Sequence, residues 1–367
     1  MKVKVIDLFA GAGGFTVAAQ MAGCEVALSV EIDRVACETL ETNHGASEIV
    51  CGDICDYSGE ALLKRGGIKS GTPVIVVGGP PCQPFSKAAY WTDPGDDSRY
   101  RKARQNGQLC EKPKQILSAK EDSRRDLVHE FFRVVEEVDA DAFVFENVTS
   151  ILHPRNAGLF DGLISHAQSL GYNVAYGKLN SVHYGVAQRR ERVFIVGSRK
   201  GKPTLPNPTH YWDKSVGRTS SKVLPFVSVE SVIEEFSGPK FFEPEEVIVG
   251  RWAEHLKTVP PGMNYKAHTA WAGHPNPTFV TETRFWNFLL KLDPKLPSWT
   301  LAASPGPWTG PFHWASRRLR TPEMAAIQSF PEGYVFRGTR RDRVRQIGNA
   351  VPPVLAEKVI SQLLGVM

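Results

Sequence analysis

No stretch of this sequence holds the roughly 18 consecutive apolar residues of a membrane span, and the apolar start from Val3 to Ala10 is interrupted by Asp7 and runs into glycines, unlike a signal peptide. Cysteine is scarce as well: Cys24, Cys37, Cys51, Cys55, Cys82 and Cys110 include no CxxC pair, and Cys51 with Cys55 has no second Cys/His pair at zinc-ligand spacing. No structural metal is therefore expected, and the expected setting is intracellular, with reduced thiols. Charge of one sign is not in large excess, since 44 basic against 39 acidic residues leave +5, too little to identify a polyanion partner from net charge alone. The 32 Gly and 26 Pro are too dilute over 367 residues for a low-complexity or collagen-like chain, and no internal repeat is visible. What remains is a folded chain of 42% hydrophobic residues, long enough for two to three domain-equivalents.

The charges are unevenly spread. Bases outnumber acids from Lys87 to Arg125, and again where Arg317, Arg318, Arg320, Arg337, Arg340, Arg341, Arg343 and Arg345 face only Glu323, Glu332 and Asp342. Two such stretches can line one polyanion groove, although a charge run is more often a solvated face.

The first half alternates short apolar runs, at 3–9, 24–30, 74–79, 142–147, 172–179 and 192–198, with helical patterns at 13–22, 33–43, 124–138 and 157–170. That alternation predicts an α/β doubly wound sheet. After Gly201 the sequence becomes irregular and rich in Pro, Trp and His, so about 200–316 reads as a second, smaller and loop-rich domain. Helical character returns in TPEMAAIQSF (321–330) and VPPVLAEKVISQLL (351–364), each with Pro near its first turn, and the last helix is expected to pack back on the first domain.

DLFAGAGGF (7–15) leaves a strand and opens a helix through Gly11, Gly13 and Gly14, which makes backbone N–H groups available to a ligand. The dinucleotide pattern GxGxxG would need glycine where Thr16 stands, so the turn alone leaves nucleotide binding and a tight structural turn equally open. The next strand ends at Glu31, about twenty residues on, where a carboxylate can accept from ribose hydroxyls. Asp53, after another strand end, can accept from an adenine amino group, with Ile32 and Ile54 as apolar faces; a surface or capping acid is the plainer alternative for each carboxylate, but their order and spacing together favour a ligand. In GGPPCQPFS (78–86), Cys82 follows an apolar strand and sits among prolines that fix the backbone, flanks unsuited to an inert core thiol.

With ENV (146–148), QRRERVFIVGSR (188–199), RRLRTPEMAAIQSFP (317–331) and RQIGNAVPP (345–353), these motifs run in order over nearly the whole chain, which resembles the cytosine-5 DNA methyltransferases that use S-adenosylmethionine. The resemblance implies a Rossmann-like catalytic domain of residues 1–199 plus 345–367, and a target-recognition domain of 200–344 whose variable part is about 200–316. It makes Cys82 the nucleophile that adds to carbon 6 of a flipped cytosine and Glu146 a protonated partner of ring nitrogen 3, with a raised pKa. The resemblance also implies that Arg192 holds the cytosine carbonyl oxygen and orients Glu146, with Arg190 as the companion that contacts the loop or the DNA backbone. Because alternate strand residues share a face, Gln188, Arg190 and Arg192 are expected to converge on one cleft.

The resemblance places S-adenosylmethionine, leaving as S-adenosylhomocysteine, against Phe9, Ala10, Gly11, Gly13, Glu31, Ile32, Asp53, Ile54, Pro80 and Leu127, closed by Asn349 and Val351. Ser86 and Gln188 are the implied DNA contacts. The segment from Lys87 to Asp122 is long for the lid that closes over the flipped base in such enzymes. A monomer acting on double-stranded DNA is implied, cytoplasmic and nucleoid-associated, with a restriction endonuclease as genetic partner and no metal or membrane involved. An RNA cytosine-5 methyltransferase of the tRNA-modifying branch shares most of the motifs, but typically shows Thr where this chain has Ser86. An inactive DNA-binding paralogue would not be expected to keep Cys82, Glu146 and Arg192.

Overall fold

A computed structural model of the chain describes residues 2–81, 85, 99–100, 103, 108–111, 125–212, 223–279 and 286–367. The chain forms β1 (Lys4–Leu8), β2 (Glu25–Glu31), β3 (Glu48–Cys51), β4 (Val74–Gly78), β5 (Ala142–Val148), β6 (Asn173–Asn180), β7 (Gln188–Arg189) and β8 (Glu191–Ser198), the six apolar runs giving all of these but the short β3 and β7. Between them stand α1 (Gly14–Met21), α2 (Arg34–His44), α3 (Gly59–Arg65), α4 (Leu127–Glu137) and α5 (Ala157–Ser169). A seven-stranded sheet has the order β3-β2-β1-β4-β5-β8-β6. Its first five strands pair in parallel, and β8 runs antiparallel to both β5 and β6.

Parallel strands covered on both faces read as nearly continuous apolar runs, and successive side chains divide between two cores. Ile6, Val76, Phe143 and Phe145 face α4, where Phe131 and Phe132 meet them edge-on at 5.3–6.3 Å in most pairings. Val5, Ile75, Val77 and Val144 face α1 and the C-terminal helix. Each phenylalanine so buried contributes about 2–3 kcal/mol.

Beyond β8 lie β9 (His210–Tyr211), β10 (Leu224–Pro225), α6 (Glu230–Ile233), α7 (Ala253–Thr258), β11 (Ser298–Trp299), α8 (Thr321–Ile327), α9 (Arg340–Asn349) and α10 (Pro353–Leu364). Leu256, Val259, Tyr265, Phe279, Leu289 and Phe312 form a small core of their own. Met324, Ile327, Phe336, Val344 and Ile347 form another, which also takes in Ala12 and Val17 next to the first glycine turn. The last helix, α10, packs on α1 and the sheet through Leu355, Val359 and Ile360, as its sequence predicts.

Five of the eight arginines in the second basic stretch, Arg317, Arg320, Arg340, Arg343 and Arg345, are paired with acids of the chain. Arg317 pairs with Glu323 at 2.5 Å, Arg340 with Glu243 at 3.3 Å and Arg345 with Asp33 at 2.7 Å. Arg320 and Glu246 form a buried pair. The first basic stretch lies almost wholly outside the described residues. No helix among the described residues is long and apolar enough to cross a membrane.

Candidate active site

The order of the sheet makes the crevice. From β1 the chain passes to β2 and β3 on one side, then crosses to β4 and β5 on the other, so the carboxyl ends of β1 and β4 flank a topological switch point. A cavity of about 560 Å³ opens there. It runs from Glu31 at the end of β2 to Glu146 near the end of β5, three strand spacings or roughly 14 Å across.

At one end the glycine turn is built for close approach. Phe9 and Gly11 both hold φ of +55°, uncommon for a bulky residue such as Phe9. Gly14 is required by its neighbour, because a Cβ there would lie 2.4 Å from the Val351 carbonyl oxygen. Where the dinucleotide pattern would place glycine, the Thr16 hydroxyl instead donates to Asp7 Oδ2 at 2.7 Å and lies 3.1 Å from Ser29 Oγ. Asp7 is fully buried, and burial pushes its carboxyl up to about 7.

Glu31 accepts from the Gly11 N–H at 2.7 Å and the Asp33 N–H at 2.8 Å, which fixes the carboxylate in the cavity wall while leaving each oxygen a lone pair. Burial raises its pKa, and those two N–H groups oppose the rise. Asp53 caps the turn that follows it by accepting from Cys55 N–H at 3.0 Å, and it also lines the cavity, so the capping and binding readings coexist. Phe9, Ala10, Gly11, Ile32, Ile54, Pro80, Leu127, Asn349 and Val351 line the same cavity. Gly13 does not; it turns the chain at φ +83°, where a Cβ would strike the Tyr334 hydroxyl at 2.7 Å.

At the other end Glu146 is buried, and Arg192 Nε stands 3.0 Å from its Oε1. Strand register explains the meeting: Glu146 pairs with Phe194, and Arg192 is the diagonal neighbour two residues away. Burial pushes the Glu146 carboxyl above the usual range, while Arg192 and then Arg190 pull it back. Arg190 lines the cavity and donates from Nη2 to the Asn349 carbonyl at 3.3 Å, linking this end to the returning C-terminal segment.

Gln188 is not brought to the cleft, contrary to expectation. It is fully buried, donates to Gln328 and accepts from the Leu301 N–H, so no surface remains for DNA. The cause is a strand break at Arg190: β7 pairs with β11, whereas β8 pairs with β5 and β6, so alternation does not carry across.

Cys82 and Ser86 lie outside the described residues. The described residues on either side, Pro80 and Phe85, are tied to β5 and the turn after it, since Asn147 Nδ2 donates to the Pro80 carbonyl at 3.2 Å and Ser150 Oγ to that of Phe85. Thr300 to Ala303 and Gln346 also line the cavity, and sequence reasoning missed them. Gln346 carried a signal, standing one residue after Arg345 in the RQIGN motif. Among the described residues no group of three or more His, Cys, Asp or Glu side chains is arranged to hold a metal ion.

The family model for C-5 cytosine-specific DNA methylases matches residues 3–365. Type II methyltransferase M.SacI of Streptomyces achromogenes is 36% identical over 387 residues, covering 99% of this chain and 93% of that protein. Type II methyltransferase M.XorII of Xanthomonas oryzae pv. oryzae is 29% identical over 384 residues, covering 98% and 84%. Among solved structures, a proposed DNA modification methyltransferase encoded within a prophage (E. coli) superposes with a TM-score of 0.66 at 22% identity, over 100% of this chain and 99% of that one. The S. pombe Dnmt2 methyltransferase superposes with a TM-score of 0.57 at 15% identity, over 100% and 99%; at these identities the likeness concerns the fold.

Proposed function

This chain belongs to the C-5 cytosine-specific DNA methylases, S-adenosylmethionine-dependent transferases that modify carbon 5 of cytosine, and from that premise we propose how its own residues divide the work. Residues 1–199 with 345–367 form the catalytic domain, and 200–344 recognise the target sequence. The observation that carries the reading is one cavity holding, at opposite ends, a carboxylate fixed by backbone N–H groups (Glu31) and a buried carboxyl beside an arginine (Glu146 with Arg192).

The cavity fits S-adenosylmethionine. Glu31 and Asp53 offer acceptors for the ribose and adenine, Ile32, Ile54 and Leu127 offer apolar walls, and the backbone from Phe9 to Gly11, with Pro80, Asn349 and Val351, encloses the methionine portion. When bound, S-adenosylmethionine supplies the sulfonium methyl group that carbon 5 acquires.

The protein's part is to make carbon 5 nucleophilic. The Cys82 thiolate forms a bond to carbon 6 of a flipped cytosine, and the ring's carbon 5–carbon 6 π pair shifts toward carbon 5 and nitrogen 3. Glu146, whose carboxyl burial pushes above the usual range, donates in its protonated form a hydrogen bond to nitrogen 3 and stabilises the charge that develops there. Arg192 positions that carboxyl and holds the cytosine carbonyl oxygen, with Arg190 beside it. Once carbon 5 is methylated, its proton leaves to a base, the pair returns to the carbon 5–carbon 6 bond and the thiolate is expelled. Ser86 contacts the DNA backbone. The protein acts as a monomer on double-stranded DNA in the nucleoid, paired genetically with a restriction endonuclease, consistent with its Type II relatives.

The test is incubation of unmethylated plasmid with the protein and S-adenosylmethionine, then base-resolution mapping of 5-methylcytosine. Methylation confined to one short motif, lost in Cys82→Ala while cofactor binding persists, is the expected result. Turnover by Cys82→Ala would refute the covalent route, and methylation of transfer RNA but not plasmid would refute the DNA substrate.

A further inference from the structure

Between Gln188, which is turned inward, and Arg190, which lines the cavity, stands a residue the mechanism does not use. The guanidinium carbon of Arg189 lies 3.5 Å over the Trp299 ring and 5.0 Å from that of Trp212. Trp299 is the register partner of Arg189 in the β7–β11 pair, and Trp286 extends the row with its ring centroid 4.8 Å from that of Trp299. Thr300, next along from Trp299, lines the cavity and donates from Oγ1 to the Arg189 carbonyl at 2.7 Å, so the row sits one residue outside the cavity wall.

Two features are unusual for a structural staple. Arg189 has no carboxylate within ion-pair distance among the described residues, while Arg192, Arg317, Arg320 and Arg340 each have one. Among the described residues its Nε is buried without a hydrogen-bond partner, and its two terminal nitrogens make no hydrogen bond or ion pair. The row also ends in an exposed indole, since Trp286 is 52% accessible. A cation without a counter-ion among the described residues, held by indoles and followed by an open ring, matches a nucleic-acid strand: phosphate for the guanidinium edge, a base for the ring.

We propose that Arg189 and Trp286 form a DNA-holding rim beside the active-site cavity, with Arg189 taking a backbone phosphate of the strand flanking the target cytosine and Trp286 stacking on a neighbouring base. Trp299 and Trp212 act as positioning residues that fix the guanidinium before DNA arrives. The inference rests on the chain's acting on DNA and adds a site on the opposite face of the β7 strand from Gln188.

The experiment measures binding of a random-sequence 30-base-pair duplex across a salt series, for the wild type, Arg189→Met and Trp286→Ala, alongside S-adenosylmethionine affinity and thermal midpoint. Arg189→Met keeps an unbranched apolar side chain against the rings and removes the charge. Its slope of log affinity against log salt should shrink by about one, the mark of one lost phosphate contact, with cofactor affinity unchanged. Trp286→Ala should bind duplex about tenfold more weakly with its salt slope unchanged. An unchanged slope in Arg189→Met overturns the proposal. So does a fall in its thermal midpoint while Trp286→Ala binds DNA like the wild type, which would make the row a staple. Plasmid methylation by the wild type separates the two readings: if it occurs and both variants bind duplex normally, only the rim is refuted.

Discussion

Asp7 is wholly buried beneath the glycine turn, and its Oδ1 has no hydrogen-bond partner among the described residues. Since burial lifts its folded-state pKa to about 7, the protonated carboxyl contributes stability that is complete below about pH 4 and lost as pH rises through about 7. Asp7→Asn, neutral at every pH, should flatten that decline, which thermal midpoints recorded from pH 4 to pH 8 would reveal; an unaltered profile would mean that Asp7 does not titrate there. Glu146→Gln should bind S-adenosylmethionine like the wild type yet lose about 10²- to 10³-fold in kcat, because an amide has no acidic proton to share with nitrogen 3; near-normal single-turnover rates would remove that role. At this scale much of the site was legible. Glu31 and Asp53 follow strand ends at spacings that chemistry constrains. Gln188 was not, because the strand break at Arg190 depends on a partner, Ser298, more than a hundred residues away, a pairing no local pattern contains.

The parallel strands β1, β2, β4 and β5 and the helices α1, α2, α4 and α5 could be read because apolar runs and helical stripes are local properties, whereas β3 and α3 are too short to show one. Helix α9 escaped the same reading: in RRDRVRQIGN only Val344 and Ile347 are buried apolar side chains with any bulk, too few to show a period. It had one local sign, the capping box in which Thr339 accepts from Asp342 N–H at 3.3 Å and the Asp342 carboxylate accepts in return from the Thr339 N–H at 3.1 Å. The junction of α1 with the segment after α9 is the tightest near the cavity. Gly14→Ala would place a methyl group 2.4 Å from a backbone oxygen that cannot swing aside. It should cost about 1–3 kcal/mol of stability and weaken S-adenosylmethionine binding together, as denaturant unfolding and cofactor titration would show; loss of stability alone would separate the junction from the cavity.

Across the whole molecule, charge was the least legible property. The arginines from 317 to 345 look unbalanced along the chain because Glu243, Glu246 and Asp33, which neutralise several of them, lie 71 or more positions away in sequence. The Arg320–Glu246 pair fastens the segment around Glu246 to the start of α8, with Arg320 Nη1 also donating to the Phe236 carbonyl at 2.7 Å. Glu246→Ala should leave a buried guanidinium uncompensated and cost about 3–5 kcal/mol, measurable as a lowered denaturation midpoint; a loss below about 1 kcal/mol would mean that the pair is no fastening. The contact between the first turn and the chain's far end also bears on how the protein is made. The Tyr334 hydroxyl donates to the Ala12 carbonyl at 2.6 Å across 322 positions, a distance that a ribosome adding ~10 residues per second covers in about half a minute. Throughout that interval the emerging polypeptide carries its glycine turn without the residues that complete it, so the pocket is assembled only after Tyr334 has been made, and a product terminated before that residue would lack it.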